Sequence, residues 1–201
     1  MEFKAFEPGI FVNGRTINSI VEGFSVYKSM GRGILEECQI GEKDPKTGEW
    51  HIAPEKWYPQ QNWLNAFSKI STSLGDTNLK LIGKKIPENA IFPPWVVDIH
   101  SSIKSINIAY HLNHSRDGKT PMFDEKTGKM QDGIGHYEYI PLEGNKKIIC
   151  VCKNPYPTNF DWGIIEYMAT KFILSAVISL DTSKPTRKLG ADSDTFVITW
   201  R

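Results

Sequence analysis

The sequence predicts a single α+β domain in which helices come first and an antiparallel sheet follows. Three observations support this fold class. Apolar residues recur every three or four positions through residues 1–113, as on amphipathic helices, and they alternate along short segments of residues 134–201, as on half-buried strands. The two patterns are also segregated along the chain, which favours an antiparallel sheet over parallel βαβ units.

Composition and charge are those of a globular chain without a preferred charged partner. The 201 residues are 40% hydrophobic and 23% charged, and the net charge is +1. This length fits one domain, and the charge balance excludes the basic surface of a typical nucleic-acid-binding protein. Neither a signal-peptide pattern nor an apolar run of about 20 residues, the length of a spanning helix, is present. We therefore expect one cytoplasmic domain, residues 1–201, without membrane insertion.

The N-terminal part, residues 1–113, is predicted to contain four helices. Gly75 is placed to end the second of them and Pro87 to end the third. Between the first two helices, a turn signal at residues 44–48 predicts an exposed hairpin or loop. The predicted helices cover residues 16–30, 60–74, 77–86 and 95–114, of which the last is the longest.

Residues 114–133 are predicted to form a mobile loop, because three glycine-containing turns follow one another with little apolar content. From residue 134 the pattern changes to that of strands. The segments IGHYEYI and KKIICVCKN predict an antiparallel pair, residues 160–172 predict a helix, and AVISLDTS and TFVITW predict two further strands. The predicted order over residues 134–201 is therefore β-β-α-β-β.

Three stretches of the C-terminal part form a recognisable pattern: Asn154-Pro155-Tyr156-Pro157, the helix start Phe160-Asp161-Trp162-Gly163-Ile164-Ile165, and Gly190-Ala191-Asp192-Ser193-Asp194-Thr195-Phe196. With these stretches, about the last 70 residues resemble 4-vinyl reductase domains. The resemblance implies a helical layer packed on a four-stranded antiparallel sheet, as in vesicle-tethering (transport-protein-particle) subunits, a fold related to haem nitric-oxide-binding domains. It also implies an effector-sensing domain for apolar or aromatic small molecules.

The zinc site implied by this resemblance is incomplete in the sequence. Sensor members of the family hold zinc through one cysteine and a later cysteine pair, and Thr186 and Asp194 stand at the positions of that pair. The first cysteine position is Cys152, Cys150 or Thr158. Structural zinc needs about four nitrogen, sulfur or oxygen ligands, and threonine is not a usual one. We therefore expect no zinc at this site.

Three histidines form a candidate metal cluster. His111 and His114 are three residues apart at the end of a predicted helix, and His136 follows the predicted loop. Cys150 or Cys152 could complete the ligand set. Such a pair is also explained by helix capping and by the helix dipole, and cysteines in an apolar strand usually pack as small hydrophobic residues. A haem or metal protein that uses these histidines is therefore kept as an alternative.

Haem binding finds little support in the sequence motifs. Related haem sensors pair a proximal histidine with a downstream Tyr-x-Ser-x-Arg motif. The closest string here is YKSMGR at residues 27–32, which is one residue too long and precedes every histidine. No cofactor is therefore predicted, and zinc or haem remains an alternative.

Aromatic residues on two predicted helices suggest an apolar ligand pocket. Such a set could line a pocket closed by the polar tip of a tyrosine or histidine, although core packing explains aromatic residues equally well. No hydrolase or phosphate-binding motif is present. The predicted ligand-binding residues are Trp63, Phe67, Trp95, Tyr110 and His111.

These observations predict a stand-alone sensory domain that binds an apolar or aromatic small molecule, has no enzymatic activity and forms a homodimer. Two alternatives remain open. One is an enzyme of small-molecule metabolism that uses His111, His114 and His136 beside the predicted loop. The other is an adaptor that binds only protein, as the tethering subunits do.

Overall fold

The computed structural model describes residues 2–23, 28–142, 144 and 146–201, and these residues form an α+β fold. The helices are α1 (Gly14–Gly23), α2 (Lys28–Glu37), α3 (Gln60–Leu74), α4 (Asp76–Glu88), α5 (Ile99–Leu112) and α6 (Thr158–Thr170). The strands are β1 (Phe11–Asn13), β2 (Glu42–Lys43), β3 (Trp50–His51), β4 (Trp57–Pro59), β5 (His114–Ser115), β6 (Phe123–Asp124), β7 (Lys129–Met130), β8 (His136–Pro141), β9 (Lys147–Lys153), β10 (Val177–Leu180) and β11 (Asp194–Thr199).

The C-terminal strands form a four-stranded antiparallel sheet in the order β10-β11-β9-β8. Alternation along β9 and β11 sends Cys150 and Phe196, which are paired across the strands, to the same buried face. Helix α5 packs against β8, and α6 packs against β10 and β11. The Trp162 ring of α6 meets Phe196 edge-on, with centroids 5.8 Å apart. The apolar face of the sheet is thus covered by α5 and α6.

Helices α4 and α6 pack closely because glycines face each other at their crossing. A Cβ atom on Gly83 would lie 2.1 Å from the carbonyl oxygen of Phe160, and one on Gly163 would lie 2.1 Å from the carbonyl oxygen of Lys80. Neither distance is possible for a side chain, so only glycine allows this separation. The contact joins the N-terminal helices to the sheet through α6.

A second, three-stranded sheet in the order β4-β1-β5 was not predicted from the sequence. Val12 of β1 pairs with Tyr58 of β4 on one side and with His114 of β5 on the other. These strands are two or three residues long, which is too short for alternation to be recognised in a sequence. This sheet matters for the site described below, because β5 follows α5 directly and its pairing with β1 holds the backbone of His114 in place.

Several predicted element boundaries were wrong. The helix predicted over residues 16–30 is found as α1 and α2, and residues 24–27 between them lie outside the described residues. Helix α4 continues through Pro87, and α3, with 15 residues, is longer than α5, with 14. Helix α5 starts later than predicted because Asp98 forms a capping box: its carboxylate accepts from the Ser101 amide at 2.7 Å.

The predicted loop at residues 114–133 contains β5 and a small β6-β7 hairpin. Met122 in this segment is fully buried, and its amide donates to the carbonyl oxygens of His111 and His114. The segment thus has an apolar anchor that its composition did not indicate, and its mobility remains a prediction. Across the part of the chain that the structure describes, no helix is both long and apolar enough to cross a membrane.

Candidate functional site

A cavity of about 260 Å³ is lined mainly by α5, α6 and the connector between α4 and α5. Its wall is almost entirely apolar, with contributions from Ile106, Ile164 and Met168. The polar groups on the wall include three buried tyrosines, Tyr110, Tyr137 and Tyr156, together with His114. An apolar chamber with a few polar groups at one place is the usual form of a small-molecule site.

The structure brings three of the five predicted ligand-binding residues to this cavity. Trp63, Trp95 and Tyr110 line it. Phe67 is fully buried and packs beside the cavity wall, with its ring centroid 4.7 Å from that of Trp63. His111 lines a different, more open surface pocket. The sequence reasoning did not include Tyr137 and Tyr156, because they lie in the C-terminal part and come near α5 only in the folded chain.

His114 is held in one tautomer by its two hydrogen bonds. Its Nδ1 lies 2.6 Å from the carbonyl oxygen of Tyr110, which can only accept, so Nδ1 carries the proton. Its Nε2, 2.8 Å from the Tyr156 hydroxyl, is therefore an acceptor, and the hydroxyl donates to it. Burial lowers the pKa of His114 to about 4. The imidazole is neutral near pH 7, and the hydroxyl proton of Tyr156 is directed to Nε2 of His114.

The hydroxyls of Tyr110 and Tyr137 also donate to protein acceptors. Tyr110 donates to the carbonyl oxygen of Ile134 at 2.7 Å, and Tyr137 donates to the Asp161 carboxylate at 2.5 Å. Burial raises the pKa of both tyrosines well above the usual value. Both therefore stay protonated at any physiological pH.

Behind Tyr137 lies a fully buried ionic cluster of Arg187, Asp161 and Asp194. The Arg187 guanidinium donates to Asp161 at 2.7 Å and to Asp194 at 2.8 Å. Its remaining N–H groups reach Asn154 and the carbonyl oxygen of Tyr156. Arg187 is 1% exposed and both aspartates are 0% exposed. Such a cluster is stable only because nearly every donor and acceptor is paired.

Gln60 is a buried amide beside two of these tyrosines. It is 1% exposed, and neither its Oε1 nor its Nε2 has a partner at normal hydrogen-bond geometry. Burial raises the pKa of Tyr110 and of Tyr156, and a hydrogen-bond interaction with Gln60 opposes this rise in both. The amide therefore interacts weakly with both hydroxyl oxygens.

The three candidate histidines do not form a metal site. His111 and His136 line the open surface pocket, whereas His114 faces the cavity. Over residues 2–23, 28–142, 144 and 146–201, no group of three or more histidine, cysteine, aspartate or glutamate side chains is arranged to hold a metal ion. Burial raises the pKa of the Cys152 thiol, which opposes the thiolate that zinc requires.

The implied zinc position is used by protein contacts instead. Asp194 accepts from Arg187 and from the hydroxyl of Thr158, at 2.8 Å and 2.7 Å. Asp194 therefore serves the buried ion pair, and Thr186, which is buried, precedes the short 3₁₀ turn Arg187–Leu189.

Solved structures of H-NOX proteins are similar in fold to this chain. An H-NOX protein from S. oneidensis in the Fe(II) ligation state is 16% identical, with a TM-score of 0.60 over 94% of this chain and 96% of that one. The Fe(II) unliganded H-NOX protein from K. algicida is 14% identical, with a TM-score of 0.55 over 94% and 96% of the two chains. The chain has an H-NOX-like fold.

At these identities the likeness concerns fold alone. No protein-family model matches the sequence, and neither does any curated protein. The predicted relation to haem nitric-oxide-binding domains is thus supported as a shared ligand-binding fold. The finer relations to 4-vinyl reductase domains and to vesicle-tethering subunits remain predictions.

The H-NOX fold implies haem, and the residues of this cavity do not fit one. The cavity has a volume of about 260 Å³, and a cavity of about 150 Å³ holds a single benzene ring. This volume favours a ligand of about two rings over the four pyrrole rings of a porphyrin. Among the described lining residues there is no lysine or arginine to pair with the haem propionates. The histidine on the wall, His114, has its Nε2 occupied by Tyr156. Tyr27 of the haem-like string at residues 27–32 lies outside the described residues.

The neutral state of His114 predicts an acid-sensitive fold. The unfolded chain binds a proton on this histidine below about pH 6.5, and the folded chain does so only near pH 4. Since the unfolded state binds more protons in this window, stability is full above it and falls as the pH drops, by about 3 kcal/mol at pH 4.

Urea denaturation of wild type and His114→Leu at about pH 7.5 and about pH 4 measures this loss. The His114→Leu protein is expected to lose less stability in acid than the wild type, by that same amount. His51→Gln, at a half-exposed histidine of β3, is the control and should keep the wild-type profile. Equal acid losses in all three proteins would contradict a neutral buried His114.

Proposed function

We propose that this chain is a small-molecule-binding sensory domain whose ligand is an uncharged, apolar molecule of about two rings. The observation that carries the proposal is the 260 Å³ cavity, whose apolar wall ends at a cluster of buried, hydrogen-bonded tyrosines around His114. The H-NOX proteins of similar fold are described in ferrous and nitric-oxide-bound forms, which supports binding of a small molecule within this fold.

A haem sensor is the second candidate, because a solved structure of similar fold is described by protein-induced porphyrin distortion that modulates haem redox potential. The cavity volume and the absence of a cation on its described wall favour the apolar ligand. An enzyme is disfavoured, because the histidines that would carry acid-base chemistry are separated and His114 has both ring nitrogens engaged. The homodimer and the adaptor alternative stay predictions, which sedimentation measurements test.

Titration with the bicyclic hydrocarbon indane tests the proposal. Trp63 and Trp95 line the cavity, so binding should change the intrinsic fluorescence. Ala109 lies on the wall and is exposed, so Ala109→Phe adds a ring at the cavity wall without replacing a core side chain. We expect saturable binding of one indane per chain, weakened about tenfold or more by this variant. Lys104→Phe, an exposed position on α5 away from the cavity wall, is the control and should bind as the wild type does.

Haemin titration distinguishes the two candidates. For the apolar ligand we expect no stoichiometric haem complex, and mass spectrometry of the purified protein under native conditions should find a small organic molecule or an empty chain. A complex of one haem per chain that is lost in His114→Leu, together with no indane binding, would establish the haem sensor instead.

A further inference from the structure

We infer that the ligand of this cavity carries a hydroxyl or another hydrogen-bond donor and no negative charge. The inference rests on the proposed function and adds the chemistry that the site selects. It follows from the direction of each hydrogen bond around the cavity.

The buried tyrosine hydroxyls on the wall present only lone pairs to the cavity. Each hydroxyl has one proton, and all three protons are already directed to protein acceptors. Tyr110 donates to the carbonyl oxygen of Ile134, Tyr137 donates to the Asp161 carboxylate, and Tyr156 donates to Nε2 of His114. A group that meets these oxygens must therefore bring its own proton.

The other hydroxyls on the wall are committed in the same way. Thr16 donates to the side-chain oxygen of Asn113 at 2.6 Å, and Ser105 donates to the carbonyl oxygen of Ser102 at 2.7 Å. The Asn113 amide uses one N–H on the carbonyl oxygen of Ala109 and keeps the second. Asn113 is only half-buried, so this N–H lies outside the buried group of tyrosines.

The Gln60 amide lies beside Tyr110 and Tyr156 and does not line the cavity itself. Its Oε1 has no donor. The surroundings of the two hydroxyls therefore contain a further acceptor. A hydroxyl on the ligand supplies a proton, whereas an ether supplies lone pairs alone.

Charge behind the wall disfavours an anion. The two carboxylates of Asp161 and Asp194 face one guanidinium, that of Arg187, so the formal net charge of the buried cluster is −1. Tyr137 links Asp161 to the cavity. No lysine or arginine lies on the described wall to offset this charge. A ligand carboxylate that meets these tyrosine oxygens would thus lose its hydration without gaining a cation or a donor from them.

Four indane derivatives of nearly equal shape test the inference: indane, 2-indanol, 2-methoxyindane and indane-2-carboxylate. For the wild type we expect 2-indanol to bind about tenfold more tightly than 2-methoxyindane, the difference of one good hydrogen bond. Indane-2-carboxylate should bind on the order of 100-fold more weakly than 2-indanol. Calorimetry and tryptophan fluorescence measure the affinities.

The variant His114→Leu should remove the preference for the alcohol over the ether. Without Nε2 as its acceptor, the Tyr156 hydroxyl regains a free proton and can donate to an ether oxygen. The ratio of the 2-indanol affinity to the 2-methoxyindane affinity, both measured on this variant, should then fall toward one. An unchanged preference in this variant would overturn the assignment of the Tyr156 proton.

The outcomes separate this inference from the proposed function. If indane and all three derivatives fail to bind, the cavity is not a ligand site and the proposed function is wrong. If indane binds and the ether or the carboxylate binds as tightly as the alcohol, the proposed function stands and the donor requirement is wrong. Because these comparisons use the wild-type protein, they hold even if the variant does not fold.

Discussion

Replacing Arg187 with methionine is expected to lower the free energy of unfolding by about 3 to 5 kcal/mol. The side chain is 1% exposed and donates to both Asp161 and Asp194, while a methionine of similar length fills the space but offers no donor. Two buried carboxylates would then face each other without a cation. Urea denaturation near neutral pH measures the loss.

An exposed arginine provides the matched control. Arg116→Met breaks an ion pair with Glu7 whose two side chains are both more than 40% exposed. Such surface pairs contribute about 1 kcal/mol or less. A loss at Arg187 no larger than the loss at Arg116 would contradict the structural role of the buried cluster.

The effect of pH on Arg187→Met has a definite sign. Burial already raises the pKa of Asp161 in the wild type, with Arg187 opposing this rise. Without the guanidinium, the folded state favours the protonated Asp161 carboxyl and binds more protons than the unfolded state. The deficit of the variant should therefore be largest above neutral pH and shrink in mild acid. Adding Asp161→Asn and Asp194→Asn to Arg187→Met should recover part of the lost stability.

The sequence predicted the fold class and most helices because those features depend on local periodicity. Helix α3 matches the predicted residues 60–74 without error, since an apolar face and Gly75 mark it locally. Strands β8 to β11 likewise alternate over four or more residues. The β4-β1-β5 sheet lacks such a signal, because each strand is too short and the partners are more than 40 residues apart in sequence.

The candidate site was only partly predictable for the same reason. Trp63 and Tyr110 were identified because each lies on the apolar face of a recognisable helix. The spacing of His111 and His114 suggested a shared ligand, but helix α5 ends between them and β5 turns His114 toward Tyr156 instead. The buried pairing of Arg187 with Asp161 joins residues 26 positions apart. No local pattern in a sequence marks such a pair.

Phe67→Ala is expected to lower the free energy of unfolding by about 3 to 5 kcal/mol without weakening indane binding. The sequence placed this ring on the pocket wall, whereas the structure places it in the core, fully buried between Trp63 and Phe160 at centroid distances of 4.7 Å each. Truncation removes these ring contacts and leaves a void that the surrounding helices fill only in part.

Trp95→Ala should have the opposite pair of effects, on binding and not on stability. Trp95 lines the cavity and is 45% exposed, so its loss should change stability by about 1 kcal/mol or less and weaken indane binding about tenfold. For both variants, denaturation measures the free energy of unfolding and fluorescence titration measures the affinity for indane. In Trp95→Ala, Trp63 remains as the fluorescent residue on the cavity wall. If Phe67→Ala abolished indane binding at nearly unchanged stability, the ring would belong to the ligand site after all, and the cavity boundary drawn from the structure would be wrong.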